Sequence, residues 1–541
     1  MPNRFFSHIM LHARMLWIKW VIWQPLMRQT FSPQRTQEKL LQRILNKNKY
    51  TEFGQLHGFA AIKDYREFQR AVPVHTYEEL RGAIERQEIS QKPCLNAEQP
   101  AMYAQTSGTT GNPKFIPILP QTIVQYRRSQ FCVAYAIHAA IPQAYAGKVL
   151  AIVSPAVEGH MASGTPYGSM SGLIQQSMPD FVAANYVLPS TLFDISDYEL
   201  KYHLITVFAL AEKHITLIAT ANPSTLLKIS AIINSRLEAL IAEIAAGNTY
   251  GLRANPQRAA ELESLVREKP FLTFANIWPN LHAVSTWTSG NCSLLLPALR
   301  KQLRKTTRIV EMGYLSSEFR GTITVDALEN KGMPTIHENF FEFVERDRWE
   351  DRSGEFLTIA SLQSGKQYYV FVTTQTGLYR YFINDIIEVD GCINRTPCIR
   401  FVQKGKGVIN LTGEKLYESQ VIEAIRRMKQ ELNVNIEFFM MLGNPESLQY
   451  HLYLATDPVA HVTATFEKHL CALNIEFAAK RQSGRLQETT VYFVSPMVAE
   501  AYKKHCITRG QREGQFKLMK LQTVQDCTFD FSPYRVRAHA A

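Results

Sequence analysis

Apolar residues recur at helical spacing over the first hundred residues and again between residues 198 and 246. Side chains three and four positions apart lie on the same face of a helix. The pattern therefore predicts helices before residue 100, including residues 37–45 (QEKLLQRIL), and one helix over each of residues 198–213 and 225–246. In the last of these, the apolar residues that share a face are Leu226, Ile229, Ile233, Leu237, Leu240 and Ile244.

Short apolar runs bounded by polar residues are typical of strands. One such run, KVLAIVS, covers residues 148–154. More follow from residue 282 onward, in the order HAVSTWT, FFEFV, QYYVFVTT, IIEVDG and CIRFVQ. Because predicted helices are interleaved with the earlier strands, the pattern predicts an α/β fold with at least one mixed sheet.

A change in sequence character marks a domain boundary near residue 403. Residues 403–407 (QKGKG) form a polar link that contains glycine and follows a predicted strand. A self-contained unit comes next, with helices predicted at 417–432 and 497–506 and strands near 434–442, 449–456 and 489–494. Since boundaries commonly fall in such links, we predict a large N-terminal domain at 1–403 and a small mobile α+β C-terminal lid domain at 404–541.

Charge and cysteine content restrict the class of protein. The formal charge of +11 is concentrated in residues 1–50, with nine Lys or Arg against one Glu, and in residues 501–541, with eight against three acidic residues. A continuous basic stripe is typical of nucleic-acid binding, so this distribution predicts no nucleic-acid partner. The eight cysteines contain no CxxC pair, which favours free thiols in a reducing compartment, and hence a cytoplasmic location, over a zinc site or disulfides.

The N-terminal segment is the candidate for membrane contact. Residues 15–27 (MLWIKWVIWQPLM) are apolar and aromatic, but Lys19, Gln24 and Pro25 interrupt the run. A spanning helix needs about 18 or more apolar residues in succession, so we predict no transmembrane segment. An amphipathic helix packed on the protein is favoured over a helix that lies on a membrane surface, although such peripheral contact stays open.

The strongest chemical signal is QTSGTTGNPKFIP at residues 105–117. Glycines let backbone N–H groups approach phosphate oxygens, hydroxyl groups donate further hydrogen bonds, and a lysine supplies positive charge. The spacing excludes a Walker A loop, because Pro113 and Phe115 stand where that motif has glycine and Ser or Thr, and it also excludes GxGxxG. The segment predicts a phosphate-binding loop with the candidate residues Thr106, Ser107, Gly108, Thr109, Thr110, Gly111 and Lys114.

This loop resembles the phosphate loop S/T-S/T-G-T-T/S-G-x-P-K of the acyl-adenylate-forming superfamily, which includes acyl-CoA synthetases, luciferases and the adenylation domains of peptide synthetases. Residues 314–318 (YLSSE) match a second element of that superfamily, Y-x-S-S/T-E. The resemblance implies that Glu318 ligates a Mg²⁺ ion bridging the phosphates of ATP, and a hard cation of this kind does prefer carboxylate and phosphate oxygens. Tyr314 would pack near the adenine, and Ser317 belongs to the same nucleotide-binding element.

Residues 377–385 (GLYRYFIND) resemble a third element, G-L-Y-R-Y-R-V-G-D. The resemblance implies that Asp385 accepts hydrogen bonds from both ribose hydroxyls of the nucleotide. Asn384 replaces the usual glycine, and Asn tolerates a left-handed backbone better than most residues. Phe382 replaces the usual arginine, which leaves the role of that position open.

Residues 514–517 (GQFK) resemble the C-terminal lysine element N-Q-Y/F-K. Lys517 would then be catalytic, because a lysine that reaches the α-phosphate when the small domain closes stabilises the charge that develops there. Phe401, just before the domain boundary, is an equally good candidate for contact with the nucleotide and for a core position.

Longer similarities point to one branch of the superfamily, the auxin-responsive family of acyl-acid amido synthetases. They cover about residues 40 to 520 and are clearest in residues 51–59 (TEFGQLHGF), 72–80 (VPVHTYEEL) and 278–296 (WPNLHAVSTWTSGNCSLLL). Within the last segment, the resemblance implies that Ser289, Gly290 and Asn291 lie against the adenine.

The resemblance implies an ATP-dependent ligase that uses Mg²⁺. A small carboxylic acid would attack the α-phosphate of ATP to give an acyl-adenylate, and an amine, with an amino acid favoured, would then displace AMP. A monomer is expected. The alternatives are an acyl-CoA or acyl-AMP ligase of the same superfamily, or a non-catalytic descendant that binds nucleotide or membrane. The acid itself is not specified by the sequence; Arg127 and Arg128 could meet its carboxylate, but a solvated helix face is favoured for them.

Overall fold

The computed structural model describes residues 4–106, 114–176, 178, 180–350, 353–405, 407–409, 411, 414, 416–482, 484, 486–509, 511, 513, 516 and 518–536. Close contacts divide the chain into two units. The first contains Met1–Ile383 and Ile387–Phe401, and the second contains Asn384–Ile386 and Val402–Ala541. Each unit has its own hydrophobic core.

The N-terminal half of the first unit is rich in helices, as predicted. Their caps are readable in the sequence: the side chains of Thr51 and Asp64 accept from the first-turn N–H groups of Gly54 and Glu67. A π-helical turn, Lys19–Trp23, joins the first two helices. The helices before residue 141 are Arg4–Ile18 (α1), Gln24–Gln29 (α2), Pro33–Asn48 (α3), Glu52–Leu56 (α4), Tyr65–Ala71 (α5), Tyr77–Ser90 (α6) and Pro120–Ala140 (α7).

Further helices of the first unit follow as Met170–Gln176 (α8), Asp180–Ala183 (α9), Tyr198–Ala211 (α10), Pro223–Ser235 (α11), Leu237–Ala246 (α12), Pro256–Glu268 (α13), Phe274–Ile277 (α14), Leu296–Gln302 (α15) and Arg346–Glu350 (α16). The single helix predicted over 225–246 is therefore wrong. Arg236 has φ −130° and ψ 23°, outside the helical region, and it separates α11 from α12. The apolar residues on both sides of the break are buried in one core, so the apolar periodicity of the sequence continues across the break and does not reveal it.

Strands up to residue 404 run at Met102–Thr106 (β1), Lys114–Ile118 (β2), Lys148–Ile152 (β3), Gly159–His160 (β4), Pro166–Gly168 (β5), Ile215–Thr220 (β6), Ala283–Thr286 (β7), Arg308–Glu311 (β8), Thr322–Asp326 (β9), Lys331–Pro334 (β10), Asn339–Glu345 (β11), Gln367–Thr374 (β12), Tyr381–Ile393 (β13) and Thr396–Lys404 (β14). They form sheets in the orders β2-β1-β5-β4, β3-β6-β7-β8, β10-β9 and β11-β12-β13-β14. The first of these is mixed, because β1 pairs antiparallel with β2 and parallel with β5.

The sheet β3-β6-β7-β8 is wholly parallel and is covered on both faces. Alternate residues such as Leu150 and Ile218 pack with the helices from α10 to α13. Their neighbours Val149 and Leu217 pack with α7 on the other face. Burial on both faces explains why strands such as ITLIAT read as continuous apolar runs.

The second unit contains the elements predicted after the link, with slightly different bounds. Its helices are Glu418–Glu431 (α17), Val462–Leu473 (α18), Ile475–Gln482 (α19) and Val498–Thr508 (α20). Its strands are Val408–Ile409 (β15), Leu416–Tyr417 (β16), Phe438–Asn444 (β17), Gln449–Ala455 (β18), Thr490–Phe493 (β19) and Leu521–Thr523 (β20). The main sheet has the order β19-β18-β17-β20 and is mixed, so the α+β character predicted for this unit is confirmed.

The cysteines and the helix lengths bear on two further expectations. All eight cysteines are free, as expected from their spacing. In the part of the chain that the structure describes, no helix has the combined length and apolar character needed to cross a membrane.

Candidate active site

Strands β1 and β2 hold the two ends of the predicted phosphate-binding loop. They pair antiparallel, with Thr106 directly opposite Lys114. Residues 107–113 connect them and lie outside the described residues, and with them the candidates Ser107, Gly108, Thr109, Thr110 and Gly111. Because β1 also pairs with β5, both ends of the loop belong to a four-stranded sheet.

Lys114 begins β2 beside an aromatic ring. Its ammonium nitrogen lies 5.5 Å from the centre of the Tyr77 ring, within the range of a cation–π contact. The Tyr77 hydroxyl accepts from the Phe115 N–H at 2.7 Å and donates to the Phe115 carbonyl at 3.2 Å. Burial raises the pKa of Tyr77 to about 12, so the ring is neutral near pH 7. The contact therefore helps to fix the lysine at the base of the loop.

The parallel sheet brings two of the predicted nucleotide-binding segments to one edge. In open α/β sheets, ligands bind outside the carboxyl ends of the strands. Ser289 and Gly290 come just after β7, and Tyr314 comes just after the adjacent strand β8. Gly290 has φ +57°, which favours glycine, and it begins the 3₁₀ turn Gly290–Leu295 that also contains Asn291.

A carboxylate outside the sequence motifs holds these two segments together. Glu311 is the last residue of β8 and is buried. Its Oε2 accepts from the Thr288 N–H at 2.8 Å, the Thr288 hydroxyl at 2.5 Å and the Ser289 hydroxyl at 3.3 Å. Its Oε1 accepts from the Gly313 N–H at 2.9 Å. In the sequence, Glu311 could be noticed only as an acidic residue that follows the apolar pair Ile-Val and comes shortly before YLSSE. An acidic residue in such a position is also common at exposed strand ends.

Residues 314–322 fold back on themselves. The N–H groups of Gly321 and Thr322 both donate to the Tyr314 carbonyl, at 2.8 and 3.1 Å. The Ser316 hydroxyl accepts from the Phe319 N–H at 3.2 Å and donates to its carbonyl at 3.1 Å. A side chain at Gly321 would collide with the Tyr314 ring, so glycine is required for this close approach. The turn carries Ser317 and Glu318 between its two ends.

Glu318 meets the GLYRYFIND element. The Tyr381 hydroxyl donates to Glu318 Oε1 at 3.4 Å, across 63 residues of sequence. Tyr381 begins β13, is buried, and its backbone bridges to His75. Two motifs that the sequence analysis assigned to one nucleotide are therefore in contact within the first unit.

Tyr314 packs face to face with Phe401. The ring centres lie 5.7 Å apart, with 23° between the planes. A second ring, that of Phe319, contacts Tyr314 edge-on at 5.5 Å. Tyr314 is buried, whereas Phe401 is half-buried at the margin of the core. Phe401 thus supports Tyr314 while part of its ring stays accessible, which is compatible with both roles considered for it.

Asp385 lies in the middle of β13 and is fully buried. The residue before it, Asn384, has φ +59°, the left-handed conformation expected when Asn replaces glycine, and its carbonyl accepts from the Gly405 N–H at 2.8 Å. Asn384 and Asp385 both belong to the second unit. Phe382 stacks on Phe371 with ring centres 5.1 Å apart, so this departure from the motif fills an aromatic cluster.

Other residues of GLYRYFIND are structural. The Tyr379 ring stacks on Phe53 at 4.6 Å. Arg380 has φ +45° and forms a buried ion pair with Glu342, with 3.0 Å between Nε and Oε2. Its Nη1 also donates to the carbonyl of Val72 at 2.8 Å. These contacts join β13 to β11 and to the chain after α5.

Most of the C-terminal lysine element falls outside the part of the chain that the structure describes. Gly514, Gln515 and Lys517 lie outside the described residues. Phe516, between them, is buried in the core of the second unit. The catalytic role of Lys517 stays a prediction, as does the ribose role of Asp385.

The donor set at the turn fits a magnesium nucleotide. Mg²⁺ usually keeps several waters and is bound by one or two carboxylates together with substrate phosphates. Glu318 offers one half-buried carboxylate, and the same turn carries the hydroxyls of Ser316 and Ser317. On the adjacent strand end, Gly290 leaves bare backbone for a base to approach.

Comparison with known proteins gives a consistent picture. Residues 24–307 match the GH3 family N-terminal domain, residues 332–404 the central domain and residues 419–525 the C-terminal domain. Indole-3-acetic acid-amido synthetase GH3.2 of Arabidopsis thaliana is 24% identical over 434 residues, which cover 73% of this chain and 78% of that protein.

Two solved structures extend the comparison to the fold. The GH3.15 acyl acid amido synthetase superposes with a TM-score of 0.80 at 20% identity, over 94% of this chain and 95% of that one. A 2-hydroxyisobutyryl-CoA ligase bound to its acyl-adenylate superposes with a TM-score of 0.51 at 12% identity, over 92% of each chain. The predicted fold class, an α/β fold with a large N-terminal domain followed by a smaller α+β one, is confirmed.

Proposed function

The chain belongs to the GH3 family, and on that premise we propose that it is an ATP-dependent acyl-acid amido synthetase that joins a carboxylic acid to an amino acid. The family recognised from the motifs is confirmed, and so is the ligase class, because the relatives that match most of the chain are amido synthetases. The observation that carries the proposal is the contact between Glu318 and Tyr381, which joins two of the nucleotide motifs.

The reaction has two steps. In the first, the substrate carboxylate attacks the α-phosphate of ATP, the bond to the β-phosphate breaks, and pyrophosphate leaves. In the second, the amine attacks the acyl carbon of the adenylate, the amide bond forms with loss of a proton from the amine, and AMP leaves. The protein needs no covalent nucleophile, because the adenylate is already activated. Its contribution is positioning and electrostatic stabilisation.

We assign the residues to roles on the basis of the resemblance and of their neighbours in the fold. The phosphate-binding loop and Lys114 hold the phosphates. The sheet-edge segment of Ser289, Gly290 and Asn291, together with Tyr314, receives the base. Magnesium, when bound at Glu318, would neutralise charge on the phosphates. Asp385 holds the ribose, and Lys517 stabilises the charge at the α-phosphate.

The remaining assignments complete the proposal. Residues 1–403 form the adenylation domain, and residues 404–541 form a mobile lid. The free cysteines support a reducing, cytoplasmic location, and a monomer is proposed. Aryl-alkanoic acids are the first acids to test, because the relatives are named for indole-3-acetic acid. Arg128 is exposed on α7, which supports a solvated role for it, whereas Arg127 is half-buried.

A pyrophosphate-release screen tests the reaction. A panel of carboxylic acids is crossed with amino acids, and CoA is supplied in a separate arm. We expect acid-dependent release with ATP and an amide product with amino acids. Product formation with CoA alone would favour the acyl-CoA ligase. Absence of release with every acid would contradict the proposal.

Two variants test the assigned roles. Lys517→Ala should leave ATP binding nearly intact and lower acid-dependent pyrophosphate release by about a hundredfold or more, because it removes a charged contact to the transition state. Lys504→Ala, at an exposed lysine of the same unit, is the control. Asp385→Ala should weaken nucleotide binding in isothermal titration, with the exposed Asp390 on the same strand as the control position. Unchanged values would remove either residue from its role.

A further inference from the structure

The N-terminal helices leave one apolar face uncovered. The run from α1 through α2 packs against α7, where the Trp23 ring lies 5.0 Å from that of Tyr135. Met15, Ile18 and Leu26 are buried on this side. Four large apolar side chains of this run stay exposed, at 43, 50, 63 and 54% of their surface, in the order Leu16, Trp17, Trp20 and Val21. One edge of this set, the Trp17 ring, also lies 6.5 Å from the ring of Phe131 on α7.

These four residues form a continuous strip. Positions i, i+1, i+4 and i+5 lie beside one another along a helix. Single exposed apolar residues are ordinary on a protein surface, but contiguous apolar patches mark interaction sites. Tryptophan combines a large apolar ring with a polar N–H, a combination that suits the boundary between water and lipid.

Positive charge borders the strip. Residues 1–37 contain five Lys or Arg and no Asp or Glu. The Lys19 ammonium lies 5.4 Å from the ring centre of Trp20. The Arg14 guanidinium lies 5.1 Å from the ring of Phe131, and Arg28 is exposed one helix later. Cations beside an apolar helix face are the pattern of helices that bind anionic lipid.

We propose that the strip of Leu16, Trp17, Trp20 and Val21 docks the protein peripherally on a membrane surface that contains anionic lipid. The helix lies in the plane of the interface, its apolar side chains enter the boundary between headgroups and acyl chains, and the flanking cations contact lipid phosphates. The strip precedes residue 24, where the match to the GH3 family begins, so the proposal is independent of amide synthesis.

A second copy of the chain fits the strip less well. Two-fold pairing of the same face would bring together the cations of both copies. The segment has no acidic residue that could offset this repulsion. An anionic lipid surface instead complements the charge and covers the apolar strip.

Co-sedimentation of the full-length protein with lipid vesicles tests the proposal. We expect binding to phosphatidylcholine vesicles that contain phosphatidylserine, and little binding without it. Raising NaCl from about 0.1 M to about 1 M should weaken binding, because the Debye length falls from about 10 Å to about 3 Å. The double variant Trp17→Ser, Trp20→Ser should bind these vesicles with an affinity at least roughly tenfold lower than that of the wild type. Phe271→Ser is the matched control, since Phe271 is 54% exposed outside the strip.

A measurement on the unmodified protein guards against misfolding of the variants. Vesicles made with brominated phospholipid should quench tryptophan fluorescence only when anionic lipid is present. Failure to bind phosphatidylserine vesicles, or equal binding to neutral vesicles, would overturn the proposal. So would a concentration-dependent dimer that the double variant abolishes and that does not bind vesicles, because the occupant would then be a second copy.

Discussion

Replacing Glu311 by Gln tests whether the sheet-edge segments position the nucleotide. The carboxylate accepts hydrogen bonds on both oxygens, from Thr288 and Ser289 on one and from Gly313 on the other. A glutamine of the same shape has one accepting oxygen and one donating NH₂ group. Whichever way the amide turns, its NH₂ group faces a backbone N–H. At least one of the two segments must therefore shift.

The size of the effect follows from the contacts. A hydrogen bond to a charged group is worth about 1.5–3 kcal/mol, against about 0.5–1.5 kcal/mol for a neutral pair. Loss of one side and weakening of the other should cost about 2–4 kcal/mol in total. Part of this reduces the stability of the fold. If about half of the lost free energy appears as weaker nucleotide binding, the KM for ATP rises about tenfold, because 1.4 kcal/mol corresponds to a factor of ten.

Pyrophosphate release measured against ATP concentration, with acid saturating, is the assay. We expect Glu311→Gln to raise the KM for ATP roughly tenfold or more while kcat changes much less, the pattern of lost ground-state binding. Thr288→Val, which removes only one hydroxyl donor, should give a smaller rise. The control is Glu329→Gln, the same charge change at an exposed site. A KM within about twofold of the wild-type value at unchanged thermal stability would refute the positioning role.

Three further predictions concern stability and the turn. Glu342→Gln should cost about 3–5 kcal/mol in thermal or urea unfolding, because it leaves the buried Arg380 unpaired, whereas Glu345→Gln in the exposed pair of the same strand should cost less than about 1 kcal/mol. Gly321→Ala should displace the tyrosine ring of the YLSSE turn and raise the KM for ATP, a result that unchanged kinetics would contradict. Burial lowers the pKa of Lys520 to about 7, so the unfolded state binds more protons between about pH 7 and 10. Stability relative to Lys520→Met should therefore rise with pH over that window, and a flat difference would refute the shift.

The fold class could be predicted from the sequence, and so could motifs that are proposed to bind nucleotide, but the contacts among those motifs could not. Glu318 could be singled out from a short motif, and Tyr381 lies within another, whereas their contact depends on how β13 enters its sheet. Glu311 was missed for a similar reason. An acid after a short apolar run is compatible with an exposed strand end, and only the parallel pairing of β7 and β8 brings Thr288 within its reach.

The break between α11 and α12 and the ion pair of Arg380 cannot be recognised from apolar periodicity or from a sequence motif. The apolar pattern continues across Arg236 because both flanking helices contribute to one core, so the break between them could not be seen. Arg380 stands within a motif that is proposed to bind nucleotide, yet its guanidinium pairs with Glu342, 38 residues away in sequence. Partners at such separations are set by the packing of sheets, which a single sequence does not specify.

The two ends of the proposed nucleotide site are built differently, and this difference has a kinetic consequence. At the base end, Glu311 fixes the segments after β7 and β8 with hydrogen bonds that exist before any ligand arrives. Preorganisation of this kind lowers the cost of binding and acts equally on ground state and transition state. At the phosphate end, the proposed role of Lys517 is to stabilise charge that grows during the reaction. Changes at the base end should therefore appear mainly in the KM for ATP, and a change at Lys517 mainly in kcat.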